Sequence, residues 1–430
     1  MKSRFTRVLV SSLAAAALAA TLASCGSASS SNKDGAGGRL TLWTHNAGNA
    51  TELGAVQEVV DAFNSSQTEA TITIQAFPQD SYNDSVVAAA SANKLPCLVE
   101  IDGPNVPNWA WAKYLTPLKL STDLSQNLPS TLGAWNGETY AVGAYDVALT
   151  FMARKSDLDA AGIRVATIDK PWTRDEFDAA LASLKQLGRW DHPLDLGTSG
   201  VSEWTPYAYS PLMQSFGGDL INRNGFQSAA GVLNSEASIA WGTWFRGLVE
   251  QGYMAQKSGK DSTLDFINHK SAILYAGSWA SNTARKALGD DLVIMPSVDL
   301  GKGPKIGGGS WQWGVSTGCQ NPQAAMDYLD FSQRPENIAK VASATGTIPA
   351  TEAAAALVPG FEAGGTNRIF MDFSKKFAVL RPETPAYAFI SSEFEKATQD
   401  ILAGAPPQKA LNRAAKNIDA NIKSNNGYKN

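Results

Sequence analysis

The sequence predicts an α/β fold, and two observations predict it. Between Leu40 and Asp102 the apolar residues change spacing four times, alternating between every second position and helical spacing. That strand–helix–strand–helix–strand order marks an α/β sheet. Two of the strands also end in polar loops, Trp43-Thr44-His45-Asn46 and Asp102-Gly103-Pro104-Asn105. In open α/β sheets, ligands sit beyond the carboxyl ends of the strands.

The elements follow in order. Residues 39–43 put Leu40 and Leu42 on one side of a strand, and Val56, Val59, Val60 and Phe63 stripe a helix over 54–64. Ile72 and Ile74 alternate in a strand at 71–77, an Ala-rich helix follows at 81–92, and 97–101 is a short strand, apolar apart from Glu100. Trp135-Asn136-Gly137-Glu138 reads as a hairpin turn between Leu132 and Tyr140, and strands at 140–143 and 148–153 flank Tyr145-Asp146. Thr173 is placed to cap a helix, Glu176 completes a capping box, and Phe177, Leu181 and Leu184 form its stripe. Residues 198–211 are polar and aromatic, with Trp204, Tyr207 and Tyr209. A helix at 238–251 carries Trp241, Trp244, Phe245 and Leu248 as a packing stripe. Strands are expected at 272–275, ending in Gly277-Ser278-Trp279-Ala280, and at 292–295. Helices are expected at 322–331 and 391–402, with an amphipathic terminal helix at 407–423.

Three glycines, Gly307, Gly308 and Gly309, precede Trp311 and Trp313. Glycine lets the backbone turn sharply or approach another group closely, and alternate positions of a strand share a face. Two readings stand: a turn feeding a buried strand, or the rim of a cleft or hinge. Trp43, Trp204, Trp279 and Arg381, in similar loop-like contexts far away in sequence, favour the cleft. The glycines at 301, 303 and 307 do not make a dinucleotide fingerprint, because their spacing is wrong and Pro304 breaks the helix start that a pyrophosphate needs.

At the N-terminus Lys2, Arg4 and Arg7 precede an apolar run over 8–22. At about fifteen residues the run is short for a membrane span and fits a signal peptide. It ends in Leu22-Ala23-Ser24-Cys25, which resembles the lipobox of bacterial lipoproteins, whose cysteine becomes the lipid-modified first residue. Two acyl chains, palmitate for example, on Cys25 would anchor stably where one anchors marginally, at roughly 0.8 kcal/mol per buried CH2. Residues 25–38, rich in Ser and Gly, read as a flexible tether.

Composition narrows the function. The net charge of −4 argues against nucleic acid as a partner. Apart from Cys25 only Cys97 and Cys319 remain, with no paired-cysteine motif and three isolated histidines, so neither a metal nor another cofactor is expected. Cys97 and Cys319 read equally as one disulfide or as two buried thiols. Twelve tryptophans in an exported chain of 430 residues suggest sugar or peptide ligands.

A series of weak motifs in fixed order carries a family resemblance. These are Lys94-Leu95-Pro96 through Asp102-Gly103-Pro104 to Tyr114-Leu115-Thr116-Pro117-Leu118, then Trp135 to Val142, Phe151 to Leu158 with Ala161-Gly162-Ile163, Trp172 to Phe177, Gly217-Gly218-Asp219, Gly277-Ser278-Trp279, Gly308-Gly309, Gly346 to Pro349, Arg381-Pro382 and Ala410-Leu411. Over about the whole mature chain it resembles the extracellular solute-binding lipoproteins of ABC sugar importers, in the cluster of maltose, trehalose and glycerol-phosphate binders. Cys97 departs from the family pattern, where a small polar or acidic residue is expected. The resemblance implies a two-lobed, periplasmic-binding-protein-like fold with a hinged interlobe cleft. It places 39–146 and 310–362 in lobe 1, and 147–309 and 363–430 in lobe 2, after a signal peptide at 1–24. It also implies a monomer that is not an enzyme, held outside the cell membrane by its lipid alone. Its partners would be a carbohydrate, expected to be a di- or oligosaccharide, and an ABC permease.

Sugars present apolar C–H faces and a rim of hydroxyls, so a binder needs flat rings and planar polar groups. The candidates are Trp43 for stacking, Thr44 and Asn46 for hydroxyls, Asp80 and Tyr82 after a strand, and Asp102 as the best acceptor of the first lobe. From the other side come Tyr145, Trp204, Trp279, Trp311 and Arg381. Asp102 also reads as an N-cap, Arg381 as a structural ion pair, and His45 as a loop-packing residue. A binder of a peptide, polyamine or phosphate ester is the alternative, but the sequence shows few cleft acids and one cleft arginine. A glycoside hydrolase would need two opposed carboxylates, for which only Asp102 and Asp146 offer themselves.

Replacing Cys25 by Ser is expected to move the protein from the membrane pellet to the soluble fraction. Retention in the pellet would argue against a lipid anchor.

Overall fold

The computed structural model describes residues 34–429. The apolar run at 8–22, Cys25 and the tether up to residue 33 lie outside the described residues. The alternating pattern at the start becomes β1 (Arg39–Thr44), α1 (Ala50–Ser66), β2 (Thr71–Ala76), α2 (Gln79–Ser91) and β3 (Leu98–Asp102). β1 lies between β2 and β3, parallel to both. Leu40, Leu42 and Ile72 are buried with Val56, Val59, Val60 and Phe63 of α1, which is why the two-residue and helical spacings coincide in one core. Asn49 caps α1, its side chain accepting from the Glu52 amide.

The same sheet is completed by strands from far along the chain. Trp311–Ser316 inserts antiparallel beside β3, with Trp311 opposite Asp102, and Glu138–Val142 and Leu132–Trp135 follow. The last two form the expected hairpin, with Asn136 and Gly137 at φ 50° and 81°, the left-handed pair that a tight hairpin requires. A second sheet runs in the order Leu292–Met295, Leu149–Arg154, Ser271–Gly277, His192–Asp195. Around it, Arg174–Leu187 opens with the expected capping box. Glu236–Glu250 buries Trp241, Phe245 and Leu248. The terminal helix Pro407–Ser424 buries Ala410, Ala414, Ile418 and Ile422 and packs on Tyr387–Leu402.

One expectation about local structure is corrected. Residues 198–211 are not simply a loop, because Trp204–Phe216 is a helix. Pro206 falls in its first turn, where a missing N–H costs nothing, and its residues from Thr205 to Ser215 are all buried. A helix buried on every side carries no amphipathic period to read.

The chain passes between the sheets at residues 145–147 and 308–310. Asp146 clasps both passages. Its carboxylate accepts from the amides of Val147 (2.8 Å) and Gly309 (3.0 Å) and from Ser374 Oγ (2.8 Å). Ile306–Gly308 pairs in parallel with Ala378–Leu380, and Ile348–Pro349 pairs with Tyr145–Asp146. The glycines here have steric causes. A Cβ on Gly307 would lie 2.4 Å from the Tyr207 carbonyl oxygen, and Gly309 has φ +89°.

Cys97 and Cys319 are joined in a disulfide across 222 residues, with Cα atoms 4.4 Å apart. It ties the start of β3 to the chain just beyond Trp311–Ser316. Residues 34–38, which the composition assigned to the tether, are fastened beside it. The Asp34 carboxylate accepts from the Thr41 and Cys97 amides, and its carbonyl accepts from the Gln320 amide. Reduction of this bridge, or Cys319→Ser, is expected to lower unfolding stability by about 2–5 kcal/mol, because a long loop is released in the unfolded chain. Thermal melts with and without reductant check this, and an unchanged midpoint would refute it.

Candidate functional site

A cavity of about 710 Å³ lies where the carboxyl ends of both sheets converge. Its walls come from the loops after β1, β2 and β3, from residues 197–204 beyond His192–Asp195, from 275–283 at the end of Ser271–Gly277, and from the glycine passage at 309–311.

The wall from the first sheet is built in layers. Tyr82 is fully buried behind it; its hydroxyl donates to the carbonyls of Glu100 (2.8 Å) and Trp43 (3.1 Å) and accepts from the Glu100 amide. It thereby staples β1 to β3 at their open ends. Glu100, 1% exposed, gathers the loop after β1, because one of its oxygens accepts from Thr44 Oγ1, from the His45 amide and from the His45 ring at 2.8 Å. His45 in turn lies flat on Trp311, with ring centroids 3.8 Å apart and planes 9° from parallel. Burial pushes the imidazole pKa down, but the charge and hydrogen bond of Glu100, with Glu52 and Asp102 nearby, more than offset it, so the ring holds a proton above the usual histidine range. Glu52 faces the cavity from the first turn of α1, accepting from Tyr145 Oη and from Asn49 Nδ2 (3.0 Å). Burial raises its pKa; His45 opposes this and Glu100 adds to it.

Arg381 occupies the floor and is 6% exposed. Its guanidinium grips Asp102 through two bonds of 2.6 Å and reaches Glu203 at 2.9 Å. Glu203 also accepts from Tyr387 Oη and Ser391 Oγ. The guanidinium stacks over Tyr207 at 5.1 Å. Burial disfavours its charge, but Asp102, Tyr387 and Glu203 outweigh burial and keep it ionised.

The opposite wall is aromatic. Trp204, Tyr207 and Trp279 line the cavity together, with Trp279 about 6.4 Å from both of the others, centroid to centroid. Trp279 is 38% exposed. Its ring lies over Gly277, where a Cβ would fall 1.9 Å from a ring carbon, so this glycine is the seat of the indole. Trp204 Nε1 donates to Tyr209 Oη at 3.2 Å, and Tyr209 donates to the Leu196 carbonyl, which fixes that ring.

Of the residues singled out in the sequence, the structure brings Asp80, Asp102, Tyr145, Trp204, Trp279, Trp311 and Arg381 to the cavity. Four do not reach it. Trp43 packs on Phe77 at 4.6 Å. Thr44 and Tyr82 spend their hydroxyls on Glu100, and Asn46 Nδ2 bonds Thr44 Oγ1 at 2.8 Å. They stand one layer behind the wall, because the strand ends are pinned before the loops emerge. Asp102 does not cap the following turn with its side chain; its carboxylate goes to Arg381. Trp313 is buried in the core. Sequence reasoning passed over Glu52, Glu203 and Tyr207 and gave His45 only a packing role, and it expected few acids in the cleft. Glu52, Asp80, Asp102, Glu203 and Asp261 all line it. The one available signal was position: Glu52 opens the helix after β1, and Glu203 immediately precedes Trp204.

Residues 58–366 match the model of the bacterial extracellular solute-binding protein family. An uncharacterised lipoprotein in the oleD 5′ region of Streptomyces antibioticus is 22% identical over 311 residues, covering 69% of this chain and 67% of that protein. Among solved structures, the GacH receptor of Streptomyces glaucescens, known unliganded and in complex with acarbose, superposes with a TM-score of 0.77 at 21% identity, over 91% of this chain and 99% of that one. The maltose/maltodextrin-binding domain MalE of Bdellovibrio bacteriovorus, bound to maltotriose, superposes with a TM-score of 0.75 at 18% identity, over 90% and 100%. These likenesses establish the two-lobed α/β fold.

Arg381→Met is expected to lower unfolding stability by about 3–5 kcal/mol, because it strands Asp102 and Glu203 without their buried cation. Denaturant titration checks this; wild-type stability in the variant would show that the cluster does not hold the floor.

Proposed function

This chain belongs to the bacterial extracellular solute-binding proteins, and we propose that it captures a carbohydrate between its two lobes and hands it to an ABC permease. In this reading it is a monomer anchored outside the cell membrane through Cys25. Lobe 1 comprises 39–146 and 310–362, and lobe 2 comprises 147–309 and 363–430. Asp146, whose carboxylate bonds the amides of Val147 and Gly309, stands at the first two of the three internal boundaries and is the hinge clasp about which the lobes close.

The observation that carries the reading is the pair of facing aromatic walls, His45 on Trp311 from one sheet and Trp204, Tyr207 and Trp279 beyond the other, with carboxylates and amides between them. Rings cover the C–H faces of a pyranose at roughly 0.5–1.5 kcal/mol each beyond area burial, by analogy with aromatic pairs. Planar polar groups at the rim accept from its hydroxyls. A micromolar dissociation constant needs only about −8 kcal/mol, which two stacked rings and several hydrogen bonds supply. The two carboxylates that the sequence offers for hydrolysis, Asp102 and Asp146, are both engaged. Asp102 and Glu203 are both engaged by Arg381, and Asp146 is fully buried at the clasp. None of the three is placed as the free general acid that glycoside cleavage needs.

Titrating the purified protein with a saccharide panel is expected to change its tryptophan fluorescence. Trp279→Ala and Trp311→Ala should each weaken binding at least tenfold while the protein stays folded by circular dichroism. Unchanged affinity in both would reassign the rings to packing, and glycoside turnover would replace the binder with an enzyme.

A further inference from the structure

We propose that His45 grips the sugar directly: its Nε2–H donates to a ligand oxygen, and the cleft holds its ligand most tightly while this ring is an imidazolium. The inference rests on the carbohydrate reading above and adds a charged donor to it.

The geometry points to the free edge of the ring. Nδ1 faces Glu100 Oε2 at 2.8 Å, and the same oxygen accepts from the Thr44 hydroxyl and the His45 amide. An oxygen that gathers three donors leaves Nδ1 only the donor role, so Nδ1 keeps its hydrogen whether or not the ring is charged. Trp311 covers one face of the ring, and Tyr82 packs at a steep angle 6.4 Å away. One bond and one stack thus fix the imidazole. Nε2 hydrogen-bonds to no described residue and is not sealed from water. Because His45 lines the cavity and Glu100 and Tyr82 stand behind its wall, the cavity is where this atom opens. The residue as a whole is only 5% exposed, so little water competes with a ligand there.

Charge decides what Nε2 offers. The ionisable groups facing His45 are Glu100 and Asp102 on β3, Glu52 on α1 and Tyr82 on α2, with Tyr145 beyond Glu52. Asp102 is held by Arg381. Burial keeps the Tyr82 and Tyr145 hydroxyls protonated well above the ordinary tyrosine range. Burial also works against a charged imidazole, but the three carboxylates outweigh it and hold the second proton beyond the usual histidine range. With that proton Nε2 is a donor. Without it Nε2 is a lone pair, because Nδ1 has the remaining hydrogen.

On the first-sheet side of the cavity, among the described residues, His45 is the one lining side chain able to carry positive charge. Charge-assisted hydrogen bonds are roughly twice as strong as neutral ones. The ring and glycosidic oxygens of a sugar accept and do not donate, so a lone pair on Nε2 would repel them. A hydroxyl can reverse its direction, but it then makes only a neutral bond. Rising pH therefore weakens binding, and bound sugar reciprocally holds the proton to higher pH.

Calorimetry on the full-length protein in detergent at pH 6 and pH 9.5 tests this, with maltose, maltotriose, cellobiose and glucose as probes. The tightest of these sugars is expected to bind at least tenfold more tightly at pH 6. In His45→Gln its affinity at pH 6 should fall at least tenfold, and the difference between the two pH values should shrink below threefold. NMR of the histidine rings gives a second reading. The chain has three histidines, and His192→Gln and His269→Gln, both outside the cavity, identify the His45 signal by elimination. This reading therefore stands even if His45→Gln fails to fold. Saturating sugar is expected to raise the His45 midpoint by about one pH unit, the shift that a tenfold affinity difference requires. Equal affinity at the two pH values, a midpoint that stays in place or falls, or a pH dependence that survives His45→Gln would overturn the proposal and leave the carbohydrate reading intact. Silence from every sugar would overturn both.

Discussion

Arg381 is the group on which the cleft depends. It joins Asp102, at the open end of β3, to Glu203, ahead of the helix Trp204–Phe216, and it does so from a point 279 residues beyond Asp102. Three charges taken out of water together are tolerable only when the geometry leaves few donors and acceptors unmet. A planar guanidinium meets one carboxylate with two parallel bonds, from Nη1 and Nη2, and Nη1 has a second N–H for the other. Its position is set by the parallel pairing of Ala378–Leu380 with Ile306–Gly308. That pairing in turn needs the glycines that let backbone lie against Tyr207. The floor of the cavity is therefore a product of the passages between the sheets.

The first-sheet wall shows the same dependence in layers. Tyr82 and Glu100 do not touch the cavity, yet they hold His45 and, through it, the face of Trp311. Groups fixed before a ligand arrives lose less freedom when it binds, so this buried scaffolding favours affinity without contact. The aromatic wall opposite is set by complementary means, a glycine seat under Trp279 and a hydrogen-bonded tyrosine beside Trp204.

The charges divide into two groups with different roles. Asp102, Glu203 and Arg381 neutralise one another in large part and hold the floor. Asp146 is satisfied by backbone amides and a serine and clasps the passages. Among the described residues Glu52 and Asp80 have no lysine or arginine partner, Glu52 lying instead near the His45 ring, and both line the cavity. Structure and recognition thus draw on the same residue types, and only the partners distinguish them.

By itself the sequence determined the α/β class, the early strands and helices, the capping box at Thr173, the Asn136-Gly137 hairpin and several rings that reach the cavity, Trp279 and Trp311 among them. Spacing and cap chemistry are local, acting over a few residues, and survive without knowledge of the fold. Only the tertiary structure decided that Trp43, Thr44, Asn46 and Tyr82 stand behind the wall, that Cys97 meets Cys319, that residues 204–216 are a buried helix, and that Arg381 serves two carboxylates. Those outcomes turn on which segments meet across hundreds of residues. A carboxylate looks the same in sequence whether a guanidinium, a backbone amide or nothing lies beside it.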